Sequence, residues 1–433
     1  MKNADYNFSQ KFTGYGLLHT PEGVRDIYNG ECAKKNKVQK DISQVLHLHG
    51  FKEIQTPTFE FFDIFNQERG TIASKEMYKF FDKEGSTLVL RPDFTPSIAR
   101  CVAKYYKEES MPIRLSYVGN TFINNSSYQG KLKETTQVGA ELINDDTSDA
   151  DAQMIVLTIE CLLKAGLTDF QVEIGHADFF NGLIEEANLD MEESMQLKDL
   201  METKNIFGVE ELIEGKELKE ELKQFMIQLP ELFGNTENLA LAEKVVKNER
   251  SLSAIDRLKK LEAIIKMYGY DQYISFDLGM LSKYNYYNGI IFRGYTYGTG
   301  DVVVTGGRYD NLVGQFGKQA PAIGFAIVID QLMMALLRQK VDIPMEQGNI
   351  LIVYPHESTK QAIELGNKFR STGHPVELLR SSSKQTLEDY MEYGKRNDNI
   401  SLYMMEDKDT IRLITLSDTN AKLTTLEDLI KEI

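Results

Sequence analysis

The chain has 433 residues, 42 % of them apolar, enough for two or three domains with filled cores. Its net charge of −16 argues against nucleic acid as a main partner, because gripping phosphates requires positive potential. No basic stretch followed by an apolar one stands at the start, and apolar runs such as ILIVYP (350–355) are far too short to span a bilayer, so a cytoplasmic protein without a membrane partner is expected.

Residues 20–50 read as a loop and then a helix with apolar residues at helical spacing, closed by Gly50. FKEIQTPTFEFFDIF (51–65) reads as a strand broken by Pro57, more apolar than an exposed strand should be, although an interior strand has the same pattern. An exposed loop follows, then a strand at 86–90, the turn RPDFTPS (91–97) and a helix at 98–107. Segments of β character recur at 113–122, 133–143 and 285–305, the last a pair joined by the turn YGTGD. This order predicts the α+β class, a mainly antiparallel sheet flanked by helices rather than a doubly wound βαβ array. Between 179 and 270 the pattern changes to charged helices with no strand signal, which predicts a helical insertion into a core spanning 1–335. After Pro344, strands and helices alternate through 346–433, which predicts a small C-terminal α/β domain.

The three cysteines, Cys32, Cys101 and Cys161, are scattered without CxxC spacing and read as ordinary buried thiols. His47 and His49 are two apart near a helix end and point in different directions, so they read as capping or solvated groups. No phosphate-binding glycine loop, dinucleotide fingerprint or HExxH motif is present, and neither a metal nor a cofactor is expected.

In the strand 134–143, side chains alternate between faces. Thr136, Val138, Ala140 and Leu142 make an apolar face suited to a core, while Thr135, Gln137, Gly139 and Glu141 share a polar one. The gap at Gly139 would let a small ligand lie against the backbone, and the alternative is a solvent-facing strand. RPDFTPS, KYNYYNGIIF (283–292) and TGGRYDNLV (305–313) also place polar groups beside tight turns. Asp93 and Thr95, two apart in a Pro-bounded turn, can hold an ammonium group, and Gly306 and Gly307 permit close backbone approach. Each piece alone reads more readily as turn chemistry than as a ligand site.

Taken in order, TPEGVRD, TLVLRPDFTPSIAR, MPIRLSYVGNTF with KETTQVGAELI, YNYYNGIIF, and GGRYDNLVGQFG with PAIGFAIVIDQL resemble the histidyl-tRNA synthetase family. The resemblance covers nearly all of the first 335 residues and implies a class II synthetase-like core. The segment 346–433 is similar in element order to that family's anticodon-binding domain, but carries 11 Lys and Arg against 15 Asp and Glu, a poor balance for reading RNA.

The departures concern phosphate chemistry. Where the family has an arginine on the ATP α-phosphate, Phe122 is followed by Ile123. The arginine closing its third motif is matched by Gln331, and one shortly before the Tyr pair by Ser282, while the second-motif loop keeps only Lys131 as a basic residue. One positioned arginine is worth about 10³ to 10⁵ in rate in related phosphoryl chemistry, so losing three should abolish amino-acid activation.

The residues matching the amino-acid contacts survive. The resemblance implies that Gln137 and Glu141 touch a bound histidine, that Asp93 and Thr95 lie beside its amino group, and that Tyr287 lies at its imidazole. Asp93 stands where the synthetases have Glu, and its shorter side chain weakens that contact.

Loss on the phosphate side with retention on the amino-acid side resembles the family of regulatory subunits of ATP phosphoribosyltransferase. That resemblance implies a non-catalytic chain in the first step of histidine biosynthesis. It also implies histidine as effector and a short catalytic phosphoribosyltransferase subunit as partner, with a homodimer of this chain inside a hetero-oligomer. Some members of that family end near the synthetase-like core, so the C-terminal domain has no role assigned by the resemblance.

Overall fold

The computed structural model describes residues 18–65, 72–125, 131–234, 236–281, 286–345, 348–417 and 420–433. They divide into two units, one drawn from residues up to 26 and 38–342, the other from 27–37 and 343–433. No helix among the described residues is long and apolar enough to cross a membrane.

Helix α1 (Asn29–Leu48) buries Val38, Ile42 and Leu46, spaced by four as one helical face requires. The strand read across Pro57 is in fact two strands in different sheets, β1 (Lys52–Glu53) and β2 (Phe59–Phe61). Proline has no N–H to give a ladder and restricts the residue before it, so pairing breaks there. β3 (Lys79–Phe81), in a stretch read from sequence as loop, and β4 (Thr87–Leu90) complete a three-stranded antiparallel sheet with β2. Val89 points from it into a cluster with Phe65, Ile72 and Met77, whereas Phe59, Phe61 and Phe81 are exposed.

After helix α2 (Thr95–Tyr105) come the long strands β5 (Ile113–Phe122) and β6 (Glu134–Ile143), then helix α3 (Ser148–Lys164) and β7 (Gln171–His176). Six helices follow, α4 (Ala177–Glu186), α5 (Met191–Glu202), α6 (Ile206–Glu214), α7 (Glu220–Gln228), α8 (Thr236–Val245) and α9 (Glu249–Tyr268). The expectation of no strand here needs correction. The two-residue strand β8 (Phe233–Gly234) pairs with β9 (Ile274–Asp277), a length too short to leave a periodic signal. β10 (Ile290–Tyr295), β11 (Val304–Arg308), β12 (Ala322–Val328) and helix α10 (Ile329–Arg338) close the unit.

The large sheet runs β1-β5-β6-β12-β11-β10-β7-β9-β8, antiparallel except for β1 with β5 and β7 with β9. It is the mainly antiparallel, helix-flanked α+β sheet that the sequence predicts.

In the second unit, β13 (Asn349–Tyr354), helix α11 (Thr359–Ser371), β14 (Val376–Arg380), helix α12 (Leu387–Arg396) and β15 (Asn399–Met405) build a parallel core. β16 (Thr410–Thr415) and β17 (Ala421–Thr425) add antiparallel strands at one edge, and helix α13 (Leu426–Glu432) ends the chain. The sequence reading passed over β17, whose residues AKLTT are polar and mostly exposed, as an edge strand permits.

Candidate functional site

The register of the large sheet decides which side chains meet. Glu141 of β6 lies opposite Leu115 of β5 and Gly324 of β12, Gly139 opposite Tyr117 and Ala326, and Gln137 opposite Gly119. On β11, Thr305 and Gly307 pair with Ala326 and Gly324, so these residues share one face of the sheet. Thr136, Val138, Ala140 and Leu142 are all buried on the other face. The turn carrying Asp93 and the start of α2 carrying Thr95 cover the first face, as the shared core of Phe94, Ile98, Leu115, Tyr117, Tyr286 and Tyr309 records.

The result is a recess lined by Asp93, Thr95, Tyr117, Gln137, Tyr286, Tyr287, Thr305, Gly324, Phe325 and Ala326. The alternative of a solvent-facing strand does not hold, since Glu141 is only 1 % exposed. Its carboxyl group accepts the Thr95 hydroxyl at 2.8 Å on Oε1 and the Tyr309 hydroxyl at 2.6 Å on Oε2. Asp93 accepts the Tyr286 hydroxyl at 2.9 Å and the Thr95 backbone N–H at 3.3 Å. The five candidate residues Asp93, Thr95, Gln137, Glu141 and Tyr287 therefore converge on this recess and its wall. Among the described residues, Gln137 Oε1 is buried without a hydrogen-bond partner.

Glycines set the shape of this wall, but not as the sequence suggests. A methyl group at Gly324 would overlap the Glu141 carboxylate, so only glycine lets that side chain lie across β12. A methyl group at Gly307 would lie 2.8 Å from the Tyr287 ring, so this glycine seats Tyr287. At Gly139 the expected gap is taken up by the Tyr117 hydroxyl and the Phe325 carbonyl, and at Gly306 by the Phe292 ring. The free volume that remains is about 10 Å³, room for one water molecule at most.

Burial controls the electrostatics. Loss of solvent raises the Glu141 carboxyl to about 8, against the opposing hydrogen bonds from Tyr309 and Thr95 and with a further push from Asp93. Burial raises Asp93 as well, against the hydrogen bond from Tyr286. Tyr309 is driven well upward by burial and by the Glu141 charge, so its hydroxyl stays a donor.

Tyr309, Tyr286 and Tyr117 escaped the sequence reading as site residues. Strand parity carried the signal for Tyr309: it lies two residues beyond Gly307, so it faces the recess, while Arg308 faces α3. There Arg308 donates to Asp151 at 2.6 Å and 2.8 Å, and Arg257 of α9 donates to the other oxygen of the same carboxylate at 2.7 Å.

At the positions matching the synthetase arginines, Ile123 packs against the cluster of Phe65, Ile72, Met77 and Val89. Gln331 Oε1 is buried without a partner among the described residues, and Ser282 lies outside them. Lys131 faces Asp301 at 3.6 Å with both side chains about half exposed. Arg91 turns its guanidinium to the carbonyls of Thr56 and Asn120, each at 2.8 Å, and over the Phe94 ring, where it fastens the turn that carries Asp93.

Residues 23–332 match the family model described as histidyl-tRNA synthetase. An ATP phosphoribosyltransferase regulatory subunit from Acetivibrio thermocellus is 42 % identical over 83 % of this chain and 86 % of its own length. One from Clostridium novyi is 34 % identical over 96 % of this chain and 98 % of its own, a span long enough to take in most of the second unit. Among solved structures, an ATP phosphoribosyltransferase regulatory subunit/histidyl-tRNA synthetase from Bacillus halodurans aligns with a TM-score of 0.80 at 30 % identity, over 90 % of this chain and 99 % of that one. The histidyl-tRNA synthetase of Nostoc sp. PCC 7120 shares the fold, with a TM-score of 0.79 at 18 % identity over 96 % and 99 %. The chain belongs to the family of ATP phosphoribosyltransferase regulatory subunits, proteins of histidine biosynthesis built on a histidyl-tRNA synthetase-like core.

Proposed function

We propose that the recess is the effector site of this regulatory subunit and takes histidine, and that the chain itself does not activate amino acids. One observation carries the reading. Three acceptors from two separate elements converge in a water-poor recess: the Asp93 carboxyl from the turn before α2, and the Glu141 carboxyl and the unpartnered Gln137 Oε1 from β6. Such a set suits a donor-rich ligand, with an ammonium beside Asp93, Thr95 and Gln137, and an imidazole N–H at Glu141 with its ring against Tyr287. The apolar packing of Ile123 supports the absence of amino-acid activation, since no phosphate is stabilised by an isoleucine.

The same reading assigns the phosphoribosyl transfer to a short catalytic partner subunit, with a homodimer of this chain inside the hetero-oligomer. The exposed Phe59, Phe61 and Phe81 support self-association, because apolar rings on a sheet surface are costly in water. Histidine is larger than the roughly 10 Å³ of free volume in the recess, so side chains must move to admit it and it would select an opened arrangement. A differential affinity of this kind is what feedback requires.

The experiment is a histidine titration of phosphoribosyltransferase activity in the reconstituted complex. A carboxylate bonded to a charged or N–H donor contributes about 1.5 to 3 kcal/mol and a neutral acceptor about half that. Glu141→Gln should therefore move inhibition to about ten-fold higher histidine while leaving the uninhibited activity intact. Coincident curves for the two complexes would place the inhibitor elsewhere.

A further inference from the structure

We propose that ligand entry at this recess is coupled to proton release: the Glu141–Asp93 pair holds a proton when no ligand is bound and gives it to solvent when a cationic amino group arrives. This rests on the effector reading above and adds a pH dependence to it.

The geometry forces the coupling. Thr95 touches both carboxyls, by its hydroxyl to Glu141 Oε1 at 2.8 Å and its backbone N–H to Asp93 Oδ1 at 3.3 Å. Among the described residues the phenols of Tyr309 and Tyr286 and the Phe94 backbone N–H also donate to the pair, all of them neutral groups. Glu141 is 1 % exposed and Asp93 7 % exposed, so solvent does not stabilise two negative charges here.

Among the described residues, the titratable groups that face the pair are the phenols of Tyr117 on β5, Tyr286 and Tyr287 ahead of β10, and Tyr309 after β11. Among the described residues lining the recess there is no Lys, Arg or His. Arg91, two residues before Asp93, is spent on the carbonyls of Thr56, Pro57 and Asn120 and on the Phe94 ring. Two buried carboxyls that share Thr95, with no cationic side chain among the described residues lining the recess, do not both ionise in low dielectric, so the pair keeps one proton as a unit.

An arriving ammonium supplies the missing charge. The carboxyl O–H bond breaks, its proton passes to a buffer base, and the carboxylate that remains pairs with the cation, which keeps its own protons. Charge and atoms balance with one proton released per site. The site thus favours ligand as pH rises. Glu141 stands at about 8 without ligand and falls when a cation binds, so affinity climbs through the pH range below that value and levels above it.

The test is calorimetric titration of the full chain with L-histidine at pH 7.0 in two buffers of different ionisation enthalpy, phosphate and Tris. The difference in heat should correspond to about 0.9 proton released per site, the fraction protonated one pH unit below a value near 8. Glu141→Gln should at least halve that number while binding continues more weakly. If the variant does not fold, wild-type affinity supplies the check, and it should tighten roughly five-fold between pH 7 and pH 8. Histidine binding with identical heats in both buffers, or with affinity flat or falling over that range, overturns proton exchange alone. No binding at any pH overturns the effector reading along with it.

Discussion

Replacing His176 by asparagine should remove about 2 kcal/mol of the stability that the fold loses between pH 7 and pH 5. His176 ends β7 and caps α4, its Nδ1 accepting the Asp178 N–H at 3.2 Å, so this nitrogen carries no proton in the native state. The ring is only 6 % exposed. Burial, with the nearby guanidinium groups of Arg257, Arg308 and Arg250 adding to it and Asp178 opposing, lowers the imidazole from its ordinary 6.5 to about 4. The depressed value means that the unfolded chain binds the proton first. The stability contribution is complete above pH 6.5 and is lost progressively as pH falls toward 4. A shift of this size amounts to about 3 kcal/mol over the whole range, of which about 2 kcal/mol falls between pH 7 and pH 5. Asparagine is a good cap acceptor that does not titrate, so His176→Asn keeps the hydrogen bond and drops the linkage. Urea unfolding of both chains at pH 7, 6 and 5 measures this as a difference of differences, in which the opposite pH dependence of Glu141 cancels. Parallel pH dependences for the two chains would show that His176 is charged in the fold and refute the argument.

Other outcomes follow from the same geometry. Gly324→Ala drives a methyl into the Glu141 carboxylate, so it should cost about 1 to 3 kcal/mol in urea unfolding and abolish histidine binding, whereas unchanged binding would mean that Glu141 does not contact the ligand. The chain alone should show no histidine-dependent exchange of pyrophosphate into ATP, and exchange clearly above a no-protein control would contradict the assignment of Ile123 and Gln331 to a lost phosphate site. Phe61→Asp, at an exposed ring, should shift light-scattering mass at micromolar concentration from dimer toward monomer, and an unchanged dimer would exclude that sheet face as the contact.

The sequence exposes local features of the site well and distant ones poorly. Alternation along 134–143 separates Gln137 and Glu141 from Val138 and Leu142, because strand parity is a property of neighbours. Burial of Glu141 cannot be read that way, since its shielding comes from Thr95, Tyr309 and Gly324, some 46 to 183 positions away. The same limit hid the Asp151 carboxylate, fully buried between Arg308 and Arg257, which looks in sequence like an ordinary acid in a helix's first turn. Glycine was legible as a position needing space and misread as to what fills it: a ligand was expected at Gly139 and the Tyr117 hydroxyl is there. Elements of two or three residues, such as β3 and β8, are too short for any period to register.

On the proposed effector reading, the small free volume of the recess, about 10 Å³, also bears on time. A ligand that enters only after the walls part cannot arrive faster than they open, so the onset of inhibition should rise with histidine concentration and then level off at the opening rate. Compounds sharing the same ammonium would reach the same plateau and differ in how long they stay. Their measured affinity is diluted by the fraction of chains open at any moment, so a substitution that props Tyr287 aside would tighten binding without adding a contact.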